Sequence, residues 1–253
     1  PAKSPAAQIL AYQHFREELA RQWVARQAAS IRKVDPEALV TVGLIQWSVP
    51  VILPEVRTYS AFRPERIAPD LDFLEVHFYP LARGFLDYQR PEDITANLIY
   101  LRSTVGACAA AKRPVVLAEF GWYGGGRLTI NQGRHPPASE LQQAEWCRAA
   151  IESTRDLADG WLNWGVFDHP EARDVSQLTG LFTVDGRPKE WATVFRDISD
   201  MLADDAKAAQ SMRAGTVRLP IAEPDWDQAI VNPQVGRQAL EQVIQAWDRA
   251  SPE

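Results

Sequence analysis

Apolar residues recur three and four apart between about Ser4 and Arg32, at Ile9, Tyr12, Phe15, Leu19, Trp23, Ala28 and Ile31, with charges between them. That period predicts a helix whose apolar stripe faces a core, and Asp35-Pro36 ends it. The pattern then changes. Leu39 to Trp47 (LVTVGLIQW) is β-branched and almost wholly apolar, as in a parallel strand covered on both faces. A proline-punctuated stretch, Ser48 to Asp70, shows no clear helical period, and at that length it lines a cleft or caps the fold. Leu71 to Tyr79 (LDFLEVHFY) repeats the strand pattern, residues 94 to 111 read as a helix, and Pro114 opens a third strand, VVLAEF. Ser139 to Leu157 is a helix with an approximate capping box at Ser139. Gly160 to Phe167 (GWLNWGVF) is a fourth strand, and a helix runs from Pro188 or Lys189 to about Lys207. Strands alternating with helices predict an α/β fold of four parallel strands and their crossovers.

From Met212 the pattern shifts again. Gly215 to Ile221 reads as a short strand, Glu223 to Trp226 as a turn, and Pro233 to Ala250 as a helix with Val235, Leu240, Val243, Ile244 and Trp247 on its apolar side. A tail of roughly 40 residues rarely folds alone. The expected organisation is therefore a main body over 1–210 and a helical extension over 211–253 packed upon it.

Composition narrows the class. The 253 residues are 46% hydrophobic and 24% charged, with nine tryptophans, enough for a substantial core and more indole than a core needs. A net charge of −6, with basic residues only in isolated pairs such as Arg32-Lys33 and Lys112-Arg113, speaks against nucleic acid as a partner. No apolar run approaches the roughly 18 residues of a membrane span. A signal peptide is not evident, but the chain begins at Pro1 without Met, so secreted, periplasmic and cytoplasmic locations all stay open. Cys108 and Cys147 fall on separate helices, as two buried thiols or a helix-to-helix disulfide. The four histidines, at 14, 77, 135 and 169, have no metal-ligand spacing, and no cofactor is implied. Gly124-Gly125-Gly126 lacks the phosphate-cradle pattern and reads as a flexible loop.

Each strand ends in residues able to do chemistry: Gln46 and Trp47, then His77 and Tyr79, then Glu119, then Trp164 with Asp168 and His169. In a parallel sheet such ends converge on one face. His77 and Tyr79, two apart, share a strand face. Each has a plainer reading: His77 as a core histidine, Tyr79 as a seal at the rim, Glu119 as a cap or an arginine partner. Indole faces are good platforms for sugar rings, which makes Trp164, Trp47 and Trp122 candidates for binding substrate, with Asp168 beside them.

Taken in order, these motifs resemble the C-terminal half of a retaining glycoside hydrolase of the cellulase-type clan, the (β/α)8 TIM-barrel enzymes that include endoglucanases, β-mannanases and exo-glucanases. IRKVDPEALVTVG, Ile31 to Gly43, is similar to the junction of helix four and strand five. LEVHFYP is similar to strand six, PVVLAEFG to the nucleophile-bearing strand seven and GWLNWGVFD to strand eight. GLFTVDGRPKEWATVFRDI, Gly180 to Ile198, resembles the run into the last barrel helix. The resemblance spans about residues 10 to 200. It implies strands five to eight of the barrel, with Glu119 as nucleophile, Tyr79 bonded to it, His77 at the catalytic region and Trp164 as the sugar platform. It also implies a second carboxylate about 5 to 5.5 Å away, which in the clan follows an asparagine at the end of strand four. No such Asn-Glu pair occurs here. The acid/base glutamate is therefore expected in an N-terminal half of the same barrel, on the same polypeptide or a separate one. The alternative is an inactive carbohydrate-binding or scaffolding protein with a degenerate cleft. Few charges are suggested near the cleft, so a neutral β-linked glucan, mannan or small glycoside is expected over a uronate.

Overall fold

The computed structural model describes residues 6–46, 59–130, 135–204 and 218–250. Trp47 and most of the proline-punctuated stretch lie outside the described residues, as do residues 205–217. In chain order the main elements are helix α1 (Ala6–Val34), strand β1 (Gly43–Ile45), the short helix α2 (Pro64–Ile67), β2 (Leu74–Phe78), α3 (Pro91–Ala109), β3 (Val115–Phe120), α4 (Glu140–Thr154), β4 (Gly160–Asn163) and α5 (Glu190–Asp204). Two further helices follow, α6 (Trp226–Val231) and α7 (Gln234–Ala250). The strands form one parallel sheet in the order β1-β2-β3-β4. The α/β class and the parallel order therefore hold. Among the described residues the sheet does not close into a barrel: β1 and β4 each keep an unpaired edge.

Helix α1 corrects one expectation. Tyr12, Phe15, Leu19, Trp23 and Ile31 are 43 to 64% exposed, while Gln13, Glu17, Ala20, Val24 and Ala28 are buried. The buried stripe is built of small side chains that allow close approach and of two polar ones with partners. Gln13 donates to the Ser60 carbonyl at 3.0 Å, and Glu17 meets Arg66 at 2.8 Å. Satisfying those polar groups turns the large apolar stripe outward, as a surface of the kind that marks an interaction face.

At the C-terminal end of β1 the Gln46 side chain takes over the pairing. Its amide donates to the Tyr79 carbonyl at 2.7 Å and its oxygen accepts from the Tyr79 N–H at 2.5 Å. In β3, Val115 and Leu117 are fully buried. Strict alternation would turn Glu119 to their side. Instead the register with β2 slips, Val76 pairing with Leu117 and His77 with Glu119, so Ala118 is a bulge. It turns Glu119 to the face of His77 and seats Phe120, 1% exposed, in the core.

The capping box of α4 is complete: Ser139 accepts from Gln142 N–H, and the Gln142 side chain accepts from Ser139 N–H. The glycine run before it is a packed turn instead of a flexible loop. A Cβ on Gly124 would lie 2.5 Å from Gln143 Cβ and 2.6 Å from the Ser139 carbonyl, so only glycine fits against the start of α4. Cys108 and Cys147 are free and buried, and burial pushes both thiols up to about 12.

At the C-terminal end, residues 218–221 are not a strand, and helix α6 begins within the segment expected to be a turn. The extension is tied down through Arg102 of α3, 5% exposed. Its guanidinium donates to the Leu219 carbonyl at 2.6 Å and to both oxygens of Asp156 at 2.5 and 2.8 Å. These bonds hold the Asp156 carboxyl below its usual range. A depressed carboxylate stabilises the fold above its unfolded pKa, and that contribution is lost as pH falls through the folded value. Asp156→Asn is therefore expected to cost about 2 kcal/mol at pH 7, with the gap from the parent protein closing below about pH 4. Urea melts across that range measure it.

Candidate active site

Glu119 stands at the C-terminal mouth of β3 with a partner on each oxygen. The Tyr79 hydroxyl donates to Oε1, and His77 Nδ1 lies 3.3 Å from Oε2. His77 comes from β2, and Tyr79 follows it directly, its backbone gripped by Gln46. Burial first, and then the bond and charge of Glu119, push the Tyr79 hydroxyl above its usual range, with a smaller contribution from Asp174. It therefore stays protonated and donates. On the far side of the imidazole, His77 Nε2 is 3.9 Å from Glu75 Oε1.

Beside this carboxylate opens a pocket of about 440 Å³ lined by Tyr79, Phe85, Glu119, Trp122, Trp164 and Asp174, with Leu81, Ile130, His135, Val175 and Ser176 completing it. Trp164 is 46% exposed, and its Nε1–H donates to Ser176 Oγ at 3.0 Å, which fixes the indole at the rim. Trp122 is 2% exposed and packs edge-on to His135, with centroids 5.7 Å apart. Its Nε1–H is buried without a hydrogen-bond partner, while other parts of the side chain line the pocket. A carboxylate with two fixed partners, in an aromatic pocket, can bind a ring with polar edges and present a nucleophile to it.

The structure brings together four residues singled out from sequence: Glu119, Tyr79, Trp122 and Trp164 line the pocket, and His77 adjoins it through Glu119. Asp168 is placed elsewhere. It is buried against Lys189, whose ammonium is 3.0 Å from Oδ1, and it also accepts from the Gly180 N–H at 2.9 Å. That makes it a strut between the loop after β4 and α5, with no free edge for substrate. Trp47 falls outside the described residues. Asp174, Ser176, Phe85 and Ile130 also line the pocket and were not singled out from the sequence. They sit on loops whose composition carries no period. Among the described residues no group of three side chains is gathered that could hold a metal ion.

No protein-family model and no curated protein matches the chain. Its fold does match solved structures. A β-glucuronidase from Ruminococcus gnavus in complex with D-glucuronic acid aligns at a TM-score of 0.51 and 20% identity over 71% of this chain and 29% of that one. A β-D-glucuronidase from Dictyoglomus thermophilum aligns at 0.50 and 18% over 72% and 29%. A family 17 β-1,3-glucanosyltransferase from Rhizomucor miehei gives 0.48 and 19% over 69% and 57%. The chain thus spans 29 to 57% of the length of these proteins. The two glucuronidases show the fold: a parallel α/β arrangement shared with TIM-barrel glycoside hydrolases, here as an open sheet.

Proposed function

We propose that this chain supplies the nucleophile half of a retaining glycoside hydrolase related to the cellulase-type clan, corresponding to strands five to eight of its barrel. The observation that carries the reading is the Glu119 carboxylate, gripped by the Tyr79 hydroxyl and adjoining His77 at the mouth of an aromatic pocket. In the first step a Glu119 oxygen bonds to the anomeric carbon. The glycosidic C–O bond breaks, and the leaving oxygen takes a proton from a second carboxylic acid. Water, deprotonated by that same residue, then attacks the anomeric carbon and frees Glu119. Tyr79 and His77 hold the nucleophile in line throughout.

The second carboxylate belongs, in this reading, to the β/α units that complete the barrel. The surfaces they would cover are the open edges of β1 and β4, the exposed apolar stripe of α1, and Leu162 of β4, 58% exposed. Uncovered, such edges and patches are liabilities.

A neutral β-linked glucan, mannan or small glycoside suits the pocket better than a uronate, because Glu119 and Asp174 line it and no lysine or arginine does among the described residues. The test is the anomeric configuration of the first product released from aryl β-glycosides by the natural protein, followed by NMR. Retention is expected, and inversion would overturn the mechanism. Tyr79→Phe should lower kcat/KM about ten- to a hundredfold, the worth of a hydrogen bond to a charged group, with little change in melting temperature. The second reading, an inactive sugar-binding protein, is favoured by the half-exposed Trp164 platform standing beside one catalytic carboxylate. It predicts saturable sugar binding with no turnover in the natural protein.

A further inference from the structure

Two carboxylates enter the pocket, and only Glu119 has a role in the chemistry proposed above. The other, Asp174, caps the short turn Val175–Leu178: its Oδ1 accepts from the Ser176 N–H at 2.8 Å. No other hydrogen bond or ion pair engages its carboxylate among the described residues, so the remaining oxygen is available. The same turn is pinned to the rim indole, since Ser176 Oγ accepts from Trp164 Nε1 at 3.0 Å. Asp174 is thereby held in fixed relation to the surface on which a ring would stack. A second feature points to a ligand independently. Trp122, 2% exposed, puts an indole into the pocket wall, and together with the Trp164 indole at the rim it offers aromatic surface of the kind that packs against a ring. Of the remaining walls, Leu81, Phe85, Ile130 and Val175 are apolar, and Tyr79 and the buried His135 are polar.

We propose that Asp174 is a specificity-determining residue, which selects pyranose rings carrying an ammonium or hydroxyl donor at the edge facing it and rejects rings carrying a carboxylate there. A donor on the ring completes the free oxygen of Asp174 while the ring face packs against the Trp164 and Trp122 indoles. A uronate would instead set a third negative charge in a pocket that already holds two, with no lysine or arginine among its described lining residues to meet it. This selectivity rests on the pocket being the glycone site of the hydrolase reading. It sets the chain apart from the fold neighbour that was solved with D-glucuronic acid.

The experiment is a tryptophan-fluorescence titration at pH 6 with phenyl β-D-glucosaminide, phenyl β-D-glucoside and phenyl β-D-glucuronide, on the parent chain and on Asp174→Asn. Asparagine caps a turn as well as aspartate does, and Asp174→Ser, another good cap, serves as a second variant. Near-UV circular dichroism reports whether each keeps its tertiary packing. The expected order is glucosaminide, then glucoside, then glucuronide. The first should bind about five- to tenfold tighter than the last, the scale of a partly exposed charge contact, and this ratio should shrink to about twofold in both folded variants. Equal or tighter binding of the glucuronide, a ratio unchanged in the variants, or no saturable binding of any ring overturns the proposal. The same ranking in a natural protein that releases no product would leave Asp174's role standing and remove the hydrolase reading. Turnover with an Asp174-independent ranking would do the reverse.

Discussion

Replacing Glu119 with glutamine is expected to lower kcat/KM of the natural protein on aryl β-glycosides by about a thousandfold or more, a barrier increase of about 4 kcal/mol. Glutamine keeps the shape of the side chain, so Tyr79 and His77 retain a neighbour and the pocket keeps its walls. What it loses is the negative charge and the oxygen nucleophilicity needed to form a glycosyl ester. Ring binding should therefore survive while turnover collapses. A split of that kind separates a nucleophile from a residue that only shapes the pocket. Mass spectrometry adds a direct readout: an activated glycoside that reacts but is slow to hydrolyse should leave one sugar on the peptide containing Glu119 in the parent protein and none in Glu119→Gln. Turnover within tenfold of the parent would remove Glu119 from the role.

Lys189→Met should cost about 3 to 5 kcal/mol of stability, the usual consequence of removing one partner from a buried ion pair. For a chain of this size that is a fall in melting temperature of roughly 10 °C. The Lys189 side chain is fully buried and that of Asp168 is 7% exposed. Without the ammonium, Asp168 keeps only the Gly180 N–H among the described residues, and the Leu178 carbonyl loses its 2.9 Å donor while keeping the Gly124 N–H and the Gln143 amide. Burial already pushes the Asp168 carboxyl above its usual range, in spite of the opposing pull of Lys189. A carboxyl raised in the folded state penalises folding progressively as pH climbs from the unfolded value, near 3.9, through the folded one. Losing the ammonium widens that interval, so the deficit of Lys189→Met should be smaller at pH 4 than at pH 7. The double substitution Asp168→Asn with Lys189→Met should recover part of the loss, because no uncompensated charge remains. A deficit independent of pH, with no recovery in the double variant, would show that packing around the lysine stem matters instead of its charge.

These two positions differ in how openly the sequence displays them. Glu119 stands at the end of a short apolar run, a position that marks chemistry in a parallel sheet. Lys189 looks like an ordinary first-turn lysine, and nothing near it in the chain signals a buried partner 21 residues earlier. Asp168 shows the same limit from the other side: its place after β4 suggests a substrate contact, yet the chain folds it inward onto α5. Tyr79, Trp122 and Trp164 were legible for the reason Glu119 was, being strand-end or adjoining loop residues of the types that bind rings. Asp174 and Ser176 were not, because a loop without period carries no information about which cavity it borders.

The amino-acid sequence by itself determined the order and kind of the elements, four strands alternating with helices, and the carboxylate at the end of the third. Those features follow from periodicity and local punctuation, which act over a few residues. Tertiary structure alone decided which way they face. The apolar stripe of α1 turns outward because Gln13 and Glu17 find partners on the inner side, and alternation along β3 would have pointed Glu119 toward the helices with Val115 and Leu117. One extra residue, Ala118, set by the register against β2, turns that carboxylate to His77 and Tyr79. Register and burial depend on what the neighbouring strand and helix offer, and that is a property of the packed chain.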